Sequence, residues 1–143
     1  MLFVQYLISI VVFVFVDGFW LGIAAKSFYA EHIGHLMRTP FLLPPAILFY
    51  LIFLAGLNLF VISPHRQSSY RIIAGYGAAF GFVTYATFDL TSQAVFKDFP
   101  TIVVVVDLVW GSFLSMAISV ITVWLYRKAV PLLQKDKPNA QGG

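Results

Sequence analysis

Four long apolar runs occupy most of this chain, and they constrain its fold more than any other feature. They cover about residues 2–25, 45–62, 70–96 and 101–126, and a membrane-spanning helix needs about 20 mostly apolar residues. Only 10% of the residues are charged, whereas soluble domains have about 25%. The sequence therefore predicts an all-α membrane protein whose residues 1–128 form a single domain, a bundle of four transmembrane helices.

Two segments outside these runs have patterns of their own. In the connection between the first two runs, apolar residues recur at helical spacing, while Glu31, His35 and Arg38 lie on another face. This pattern is typical of a short helix that lies in the membrane interface. Residues 129–143 are polar, and we expect them to form a flexible tail.

The basic residues are unevenly distributed between the two ends of such a bundle. With four spans, both termini and the second connection share one side, which has six basic residues: Arg66, Arg71, Arg127, Lys128, Lys135 and Lys137. The other side has three: Lys26, Arg38 and Lys97. Because Lys and Arg are concentrated in cytoplasmic loops, this distribution predicts that both termini are cytoplasmic.

Three of the six acidic residues lie inside the apolar runs, namely Asp17, Asp89 and Asp107. A charged side chain at the bilayer centre costs about 2.5–3.5 kcal/mol on insertion scales, so such residues usually face the bundle interior and mark a functional site. Counted from the ends of their runs, at a rise of about 1.5 Å per residue, all three lie roughly 9–12 Å below the outer surface. Because ionised carboxylates at one depth repel one another, we expect a proton, a cation or hydrogen-bond donors among them.

The predicted site is a polar pocket shared by these three carboxyl groups. Small residues in the first run, Gly18 and Gly22, and in the third, Gly77 and Gly81, favour the close helix packing that would bring the acids together. The expected wall and donor residues are Trp20, Tyr85, Thr87, Thr91 and Trp110. The segment after the first run would cap the outer mouth of the pocket, and the second span, which has no acid, would act as scaffold.

Other chemistries have weaker support in the sequence. The chain has no cysteine, which excludes thiolate chemistry and Cys-based metal sites. Glu31, His32 and His35 are weak candidates for a metal site, because three ligands on one loop more often form a solvated face and no zinc-protease arrangement is present. No phosphate-binding loop, Ser-His-Asp set or nucleic-acid module is recognisable, so we expect no cofactor and no nucleic-acid partner.

Several motifs together resemble a known family. They are Asp17-Gly18-Phe19-Trp20-Leu21, Tyr29 with Gly34-His35-Leu36, Phe49-Tyr50 with Ala55-Gly56-Leu57, Tyr85-Ala86-Thr87-Phe88-Asp89-Leu90-Thr91 and Val106-Asp107-Leu108-Val109-Trp110-Gly111. Over about residues 5–125 the chain is similar to small bacterial inner-membrane proteins grouped as domain of unknown function 2177. The resemblance implies a four-helix protein of the bacterial inner membrane and a faint link to lipid metabolism, without an established activity. Ser92 departs from the family pattern, which usually has Asn at this position.

Three functions remain open on the sequence. The first is binding or transport of a proton, a cation or a small substrate at the three aspartates; because four spans are few for alternating access, transport would favour a homodimer in the lipid bilayer. The second is a membrane-embedded enzyme acting on lipids, in which a protonated aspartate is the acid and an ionised one the base. The third is a non-catalytic assembly subunit, in which each aspartate is a hydrogen-bonded strut between helices.

Overall fold

A computed structural model describes residues 2–135, and every regular element in that range is helical. The helices are α1 (Leu2–Phe19), α2 (Lys26–Ile33), α3 (Leu43–Leu57), α4 (Ser63–His65), α5 (Tyr70–Val95) and α6 (Thr101–Lys135). A π-helical turn, Trp20–Ala24, prolongs α1, and a second, Asn58–Ile62, joins α3 to α4. A 3-10 turn, Gly34–Leu36, follows α2. The predicted all-helical fold is therefore confirmed.

Three helical segments are long and apolar enough to cross a membrane, namely Leu2–Ala24, Leu43–His65 and Thr101–Ala129. The third predicted span is a continuous helix, α5, of 26 residues. Helix α5 is less hydrophobic than these three segments, because its second half contains Thr, Ser, Gln and Asp. The count of four spans is therefore not confirmed. A helix, α2, does occupy the first connection, and its place at a membrane interface stays a prediction.

Helices α5 and α6 form an antiparallel hairpin with the most extensive contact between any two helices in residues 2–135. Glycine makes this approach possible, because a Cβ on Gly77 would lie 2.9 Å from the carbonyl oxygen of Ser115. A Cβ on Gly81 would collide with the backbone of Gly111. The close packing predicted for the Gly77 and Gly81 stripe is confirmed.

Polar side chains tie the two ends of this hairpin. At the loop end, Gln93 Nε2 donates to Thr101 Oγ1 at 2.7 Å. At the other end, the Arg127 guanidinium donates to the carbonyl oxygen of Arg66 at 2.7 and 2.9 Å and to that of Ser68 at 2.6 Å. Because both ends are tied, the register of α6 along the bundle is fixed.

A buried polar cluster joins α1 to the second half of the α3–α4 segment, at the end of the bundle away from the α5–α6 loop. Gln5 Nε2 donates to Asn58 Oδ1 at 3.1 Å and to Ser63 Oγ at 2.8 Å, and Asn58 Nδ2 donates to Ser9 Oγ at 2.8 Å. Gln5, Ser9 and Asn58 are all buried. We call Gln5, Ser9, Asn58 and Ser63 the amide layer. An apolar core that includes Val12, Phe13, Phe53, Leu54 and Leu114 fills the middle of the bundle.

The glycines of α1 do not pack as predicted. Gly18 and Gly22 are exposed, and nothing lies within 4 Å of the Cβ position of either one. Asp17 is buried, and successive helical residues are separated by about 100°, so Gly18 turns away from the bundle. The predicted helix contact at these two glycines is therefore wrong for the part of the chain that the structure describes.

Helix α6 extends beyond residue 128, the predicted end of the transmembrane domain. It passes Pro131 and reaches Lys135, so the first part of the segment predicted as a flexible tail is helical. The rest of that predicted tail, residues 136–143, lies outside the described residues.

Candidate functional site

Asp17 is buried near the end of α1, where it contacts two other helices. It is only 4% exposed, and its Oδ1 accepts a hydrogen bond from Trp110 Nε1 on α6 at 3.2 Å. Tyr50 on α3 lies nearby, within electrostatic range of its carboxyl group. Asp17 therefore links α1 to α6 through a donor rather than through a second acid.

Trp20 and Trp110 form a stacked pair beside Asp17. Their ring centroids are 4.1 Å apart and their planes differ by 9°. Trp20 is the first residue of the π-helical turn after α1, and such turns are frequent at functional sites. The stacked tryptophans separate Asp17 from the other two aspartates.

Asp107, at the start of α6, is bonded to Tyr29 from α2. The Tyr29 hydroxyl donates a hydrogen bond to Asp107 Oδ1 and accepts one from Trp20 Nε1 at 3.3 Å. Burial and the neighbouring Asp107 carboxyl raise the pKa of Tyr29 above its ordinary value. Tyr29 therefore keeps its proton and acts as a donor to Asp107, and α2 lies against this carboxyl group, where the sequence predicted a cap.

Asp89 and Asp107 lie side by side across the α5–α6 interface. Asp89 is 1% exposed and Asp107 is half-buried, and the two carboxyl groups are close enough for their charges to repel when both are ionised. An ionised carboxylate only accepts hydrogen bonds, so a bond between these groups requires a proton on one of them. Asp89 Oδ1 is buried and has no partner among the described residues. We call these two residues the acid pair.

The three aspartates do not form one cluster. Asp89 and Asp107 are paired, whereas Asp17 reaches them only through the stacked tryptophans and Tyr29. Only Asp17 and Asp89 are buried. The predicted pocket shared by three acids is therefore corrected to an acid pair and a separate hydrogen-bonded aspartate. The depth of each acid could be counted along its helix, but the rotation that decides its partner could not.

Tyr85, which the sequence predicted as a wall residue, packs between α5 and α6. Its ring packs on Gly111 and occupies the space that a Cβ there would need. Glycine at position 111 thus allows the Tyr85 ring to pack directly against the backbone of α6.

Thr87 and Thr91, by contrast, are not brought to this region. Both side chains are exposed. Thr87 Oγ1 donates to the carbonyl oxygen of Val83 at 2.7 Å, and Thr91 Oγ1 donates to those of Thr87 and Phe88. Their hydroxyls are satisfied by their own helix, on the outer side of α5, while Asp89 faces α6.

A cavity of about 340 Å³ opens beside Asp107. Most of its wall is apolar and comes from Ile33 of α2, Leu36 of the 3-10 turn, Phe88 of α5 and Val103 of α6. The cavity therefore offers an apolar space with a carboxyl group at one side. A small ligand with one cationic or hydroxyl group would fit this combination.

The candidate metal ligands do not converge. Residues 2–135 contain no group of three His, Asp or Glu side chains placed to hold a metal ion. Glu31 and His35 are exposed, and His32 Nδ1 lies 2.9 Å from the carbonyl oxygen of Phe28. Because α2 ends at Ile33 and a 3-10 turn follows, Glu31 and His35 are not one α-helical turn apart as their spacing suggested.

Sequence reasoning did not assign Tyr29 and Tyr50 to the site, although Tyr29 bonds to Asp107 and Tyr50 lies near Asp17. Tyr50 lies seven residues after Leu43, where α3 begins, which is about 10 Å along the helix at 1.5 Å per residue. This is the depth of the three acids. Counting the depth of every hydroxyl group, as well as of every acid, would have found it. The second span therefore brings a hydroxyl group to the depth of the acids.

Comparison with known proteins supports the resemblance seen in the motifs. Residues 2–124 match the model of a family described as predicted membrane protein (DUF2177). No curated protein and no solved structure matches the chain. The matched range includes all three aspartates and the residues that bond to them. The chain therefore belongs to the DUF2177 family of predicted membrane proteins.

Proposed function

We propose that this protein binds a proton, or the cationic or hydroxyl group of a small substrate, at the acid pair within the membrane and moves it across. The observation that carries the proposal is the position of Asp89 and Asp107, two neighbouring acids on the tightly packed helices α5 and α6, of which Asp89 is fully buried and Asp107 half-buried. Intramembrane carboxyl groups that face a bundle interior commonly form proton relays and substrate sites.

The surroundings of the acid pair favour a proton or a small cationic group over a metal ion. Asp89 Oδ1 is buried without a partner in the described part of the chain, so it can accept a hydrogen bond from a bound proton donor. Tyr29 supplies one donor to Asp107, which lowers the cost of a negative charge there. No third carboxylate or histidine joins the pair as a metal ligand within residues 2–135.

Asp17 has a supporting role in this proposal. Its donor, Trp110, comes from α6. A hydrogen bond to the ionised form of a carboxyl group favours that form. Asp17 then fixes the Trp110 ring, and through the stack with Trp20 it positions the donor that reaches Tyr29.

We further propose that α5 is a fourth span. It packs antiparallel against α6, whose segment Thr101–Ala129 is long and apolar enough to span. Its polar face, with Asp89 and Ser92, is buried against the bundle. Its opposite face exposes large apolar side chains over most of the helix, namely Ile72, Tyr76, Val83 and Leu90. A helix with this division of faces is suited to contact lipid on one side.

Four spans place both termini on one side of the membrane. The excess of basic residues on that side, together with family membership, supports both termini in the cytoplasm of a bacterial inner-membrane protein. The acid pair then lies toward the outer surface, and α2 lies at the outer interface. Four spans are few for alternating access, so transport would require a homodimer.

The experiment is proton flux into proteoliposomes under an imposed pH gradient, with Asp89→Asn, Asp107→Asn and Asp17→Asn. The matched control is Asp98→Asn. Asp98 is exposed in the α5–α6 connection and has a positive φ of 63°, a conformation that Asn tolerates well. We expect Asp89→Asn and Asp107→Asn to reduce flux to the level of empty liposomes, and Asp98→Asn to leave it unchanged.

Full retention of flux by both acid-pair variants would exclude the proposal. That result would favour the hypothesis of an assembly subunit, in which the aspartates only hold helices together. A lipid-modifying enzyme would instead change one lipid class in cells that express the protein, and that change would disappear with the same two substitutions.

A further inference from the structure

The cavity beside Asp107 has the size and composition of a binding site for a small molecule. Its volume is about 340 Å³, and ligand pockets measure about 300–1,000 Å³. Ser92 and Asp107 are the polar residues of its wall, and the other seven lining residues are apolar. A ligand that fits this cavity is therefore small, largely apolar and polar at one place.

Aromatic rings form part of the cavity wall. Phe88 of α5 and two phenylalanines after this helix, Phe96 and Phe99, line it. The rings of Phe88 and Phe99 meet edge to face, with their centroids 6.3 Å apart. The face of an aromatic ring attracts a cation that lies within about 6 Å of its centre. These rings are therefore suited to an organic cation as well as to hydrocarbon.

The wall of the cavity contains an acid but no base. Asp107 lines it, and no Lys, Arg or His among the described residues does so. Tyr29 donates to Asp107 Oδ1, but a carboxylate accepts about four hydrogen bonds, so Asp107 can bind a further donor. If Asp89 and Asp107 share one proton, the acid pair keeps one negative charge, which is costly to bury without a partner. A monovalent cation in the cavity would balance this charge.

The same wall disfavours the head group of a phospholipid. A phosphate next to the ammonium group would need cations or several hydrogen-bond donors, and the wall offers the Ser92 hydroxyl alone. Val103 lies four residues before Asp107 on α6, which places it about 6 Å nearer to the α5–α6 loop. An ammonium group at Asp107 would therefore have apolar side chains, rather than phosphate ligands, beside the rest of the molecule.

We propose that this cavity binds a lipophilic amine, with its ammonium group at Asp107 and a short apolar chain or ring against Leu36, Phe88 and Val103. The inference rests on the proposed function, because it names the class of substrate that the acid pair would hold. Alkyl amines, like the lysine side chain with its pKa of about 10.4, are protonated at neutral pH. A hydrogen bond between two ionised groups is about twice as strong as a neutral one.

The test is calorimetric titration of the purified protein in dodecyl maltoside micelles with hexylamine, and with hexanol as an uncharged probe of the same chain length. We expect hexylamine to bind about tenfold more tightly than hexanol, a difference of about 1.4 kcal/mol. Hexylamine should also shift the infrared carbonyl band of the protonated carboxyl group in the acid pair, because its ammonium group lies beside that group. Equal affinity for the two probes, or an unchanged band, would overturn the amine site. Both measurements use the unaltered protein, so neither depends on how a variant folds.

Two substitutions separate the charge of the cavity from its shape. Asp107→Asn removes the charge, and its control is Asp98→Asn in the α5–α6 connection. Leu36→Trp places a larger side chain at the cavity. Its control is Leu42→Trp, because Leu42 is 53% exposed, against 51% for Leu36, and does not line the cavity. We expect Asp107→Asn and Leu36→Trp each to weaken hexylamine binding about tenfold and both controls to retain it, whereas full affinity in either cavity variant would overturn the proposal.

Proton flux separates a failure of the amine site from a failure of the proposed function. Absence of selective hexylamine binding, together with loss of flux in Asp89→Asn, would overturn the amine site and leave the proposed function intact. Full flux in both acid-pair variants would overturn the proposed function, whatever hexylamine does. Phosphatidylethanolamine added to the micelles should not displace hexylamine; displacement would assign the cavity to a phospholipid head group and overturn the proposal.

Discussion

The amide layer and the acid pair are both buried and polar, but they satisfy their hydrogen bonds in different ways. The amide layer consists of neutral groups that donate and accept, so Gln5, Ser9, Asn58 and Ser63 bond mainly to one another. The acid pair consists of two groups that accept when ionised, and its protein donor, Tyr29, comes from a separate helix. The amide layer satisfies most of its groups internally and leaves Gln5 Oε1 without a partner among the described residues, whereas two acids can bond to each other only through a proton or a ligand. We therefore infer that the amide layer holds helices together and that the acid pair binds the proton or the substrate.

Asn58→Leu should have the largest effect on stability. Asn58 bonds to Gln5, Ser9 and the carbonyl oxygen of Leu54, so its loss leaves buried groups unsatisfied. We expect the free energy of unfolding in detergent micelles to fall by about 2–3 kcal/mol. Ser112→Ala, which removes a hydroxyl bonded to its own helix, is the control and should be nearly neutral. If Asn58→Leu is as stable as the unaltered protein, the amide layer does not hold α1 to α3.

Gly111→Ala should have the next largest effect and should act on the acidic region alone. The new methyl group would displace the Tyr85 ring, and such overpacking costs about 1–2 kcal/mol. Equilibrium unfolding measures the cost, and the infrared carboxyl band should shift as Tyr85 moves. An unchanged band with unchanged stability would show that Tyr85 is not held by Gly111.

Tyr29→Phe should have a smaller and more local effect. It removes the hydrogen bonds to Asp107 and from Trp20, and interhelical bonds in membranes contribute about 0.6 kcal/mol on average. Hydrogen exchange followed by mass spectrometry should show faster exchange over residues 26–36. Tyr6→Phe is the control, because the Tyr6 hydroxyl donates to the carbonyl oxygen of Leu51, on α3 rather than α2, at 3.0 Å. Equal exchange in both variants would mean that Tyr29 does not hold α2 against the acid pair.

Gly22→Ala should have the smallest effect. Nothing lies within 4 Å of its Cβ position, so the free energy of unfolding should change by no more than about 0.5 kcal/mol. Gly77→Ala is the contrasting variant, because its Cβ would lie 2.9 Å from the Ser115 carbonyl oxygen. If the two variants are equally stable, close packing of α5 and α6 does not contribute to stability.

Features set by local sequence could be predicted from the chain. The helices follow from the apolar runs, and the hairpin of α5 and α6 follows from the short connection and from Gly77 and Gly81. The common depth of the acids follows from the helical rise. Each of these depends on residues close in sequence, or on a fixed geometry per residue.

Features set by helix rotation could not be predicted. Thr87 and Thr91 are near Asp89 in sequence, yet their side chains lie on the outer side of α5. Gly18 follows Asp17 directly and points away from the bundle. Rotation about a helix axis depends on what the neighbouring helices present, and no pattern within α1 or α5 contains that information.

The hydrogen bond from Tyr29 to Asp107 illustrates a second limit of prediction from sequence. Tyr29 reaches Asp107 because a π-helical turn and α2 together fold the chain back over α6. An extra residue in one helical turn leaves no clear signature in the sequence. The number of spans illustrates a related limit, because the polar residues of α5 lower its apolarity although two of them, Asp89 and Ser92, are buried against the bundle.

The shared proton of the acid pair is tested most directly by infrared difference spectroscopy of the reconstituted protein at neutral pH. We predict a carbonyl band from a protonated carboxyl group that shifts in D₂O, disappears in both Asp89→Asn and Asp107→Asn, and persists in Asp98→Asn. Absence of this band from the unaltered protein, or its persistence in both acid-pair variants, would contradict a proton held between Asp89 and Asp107.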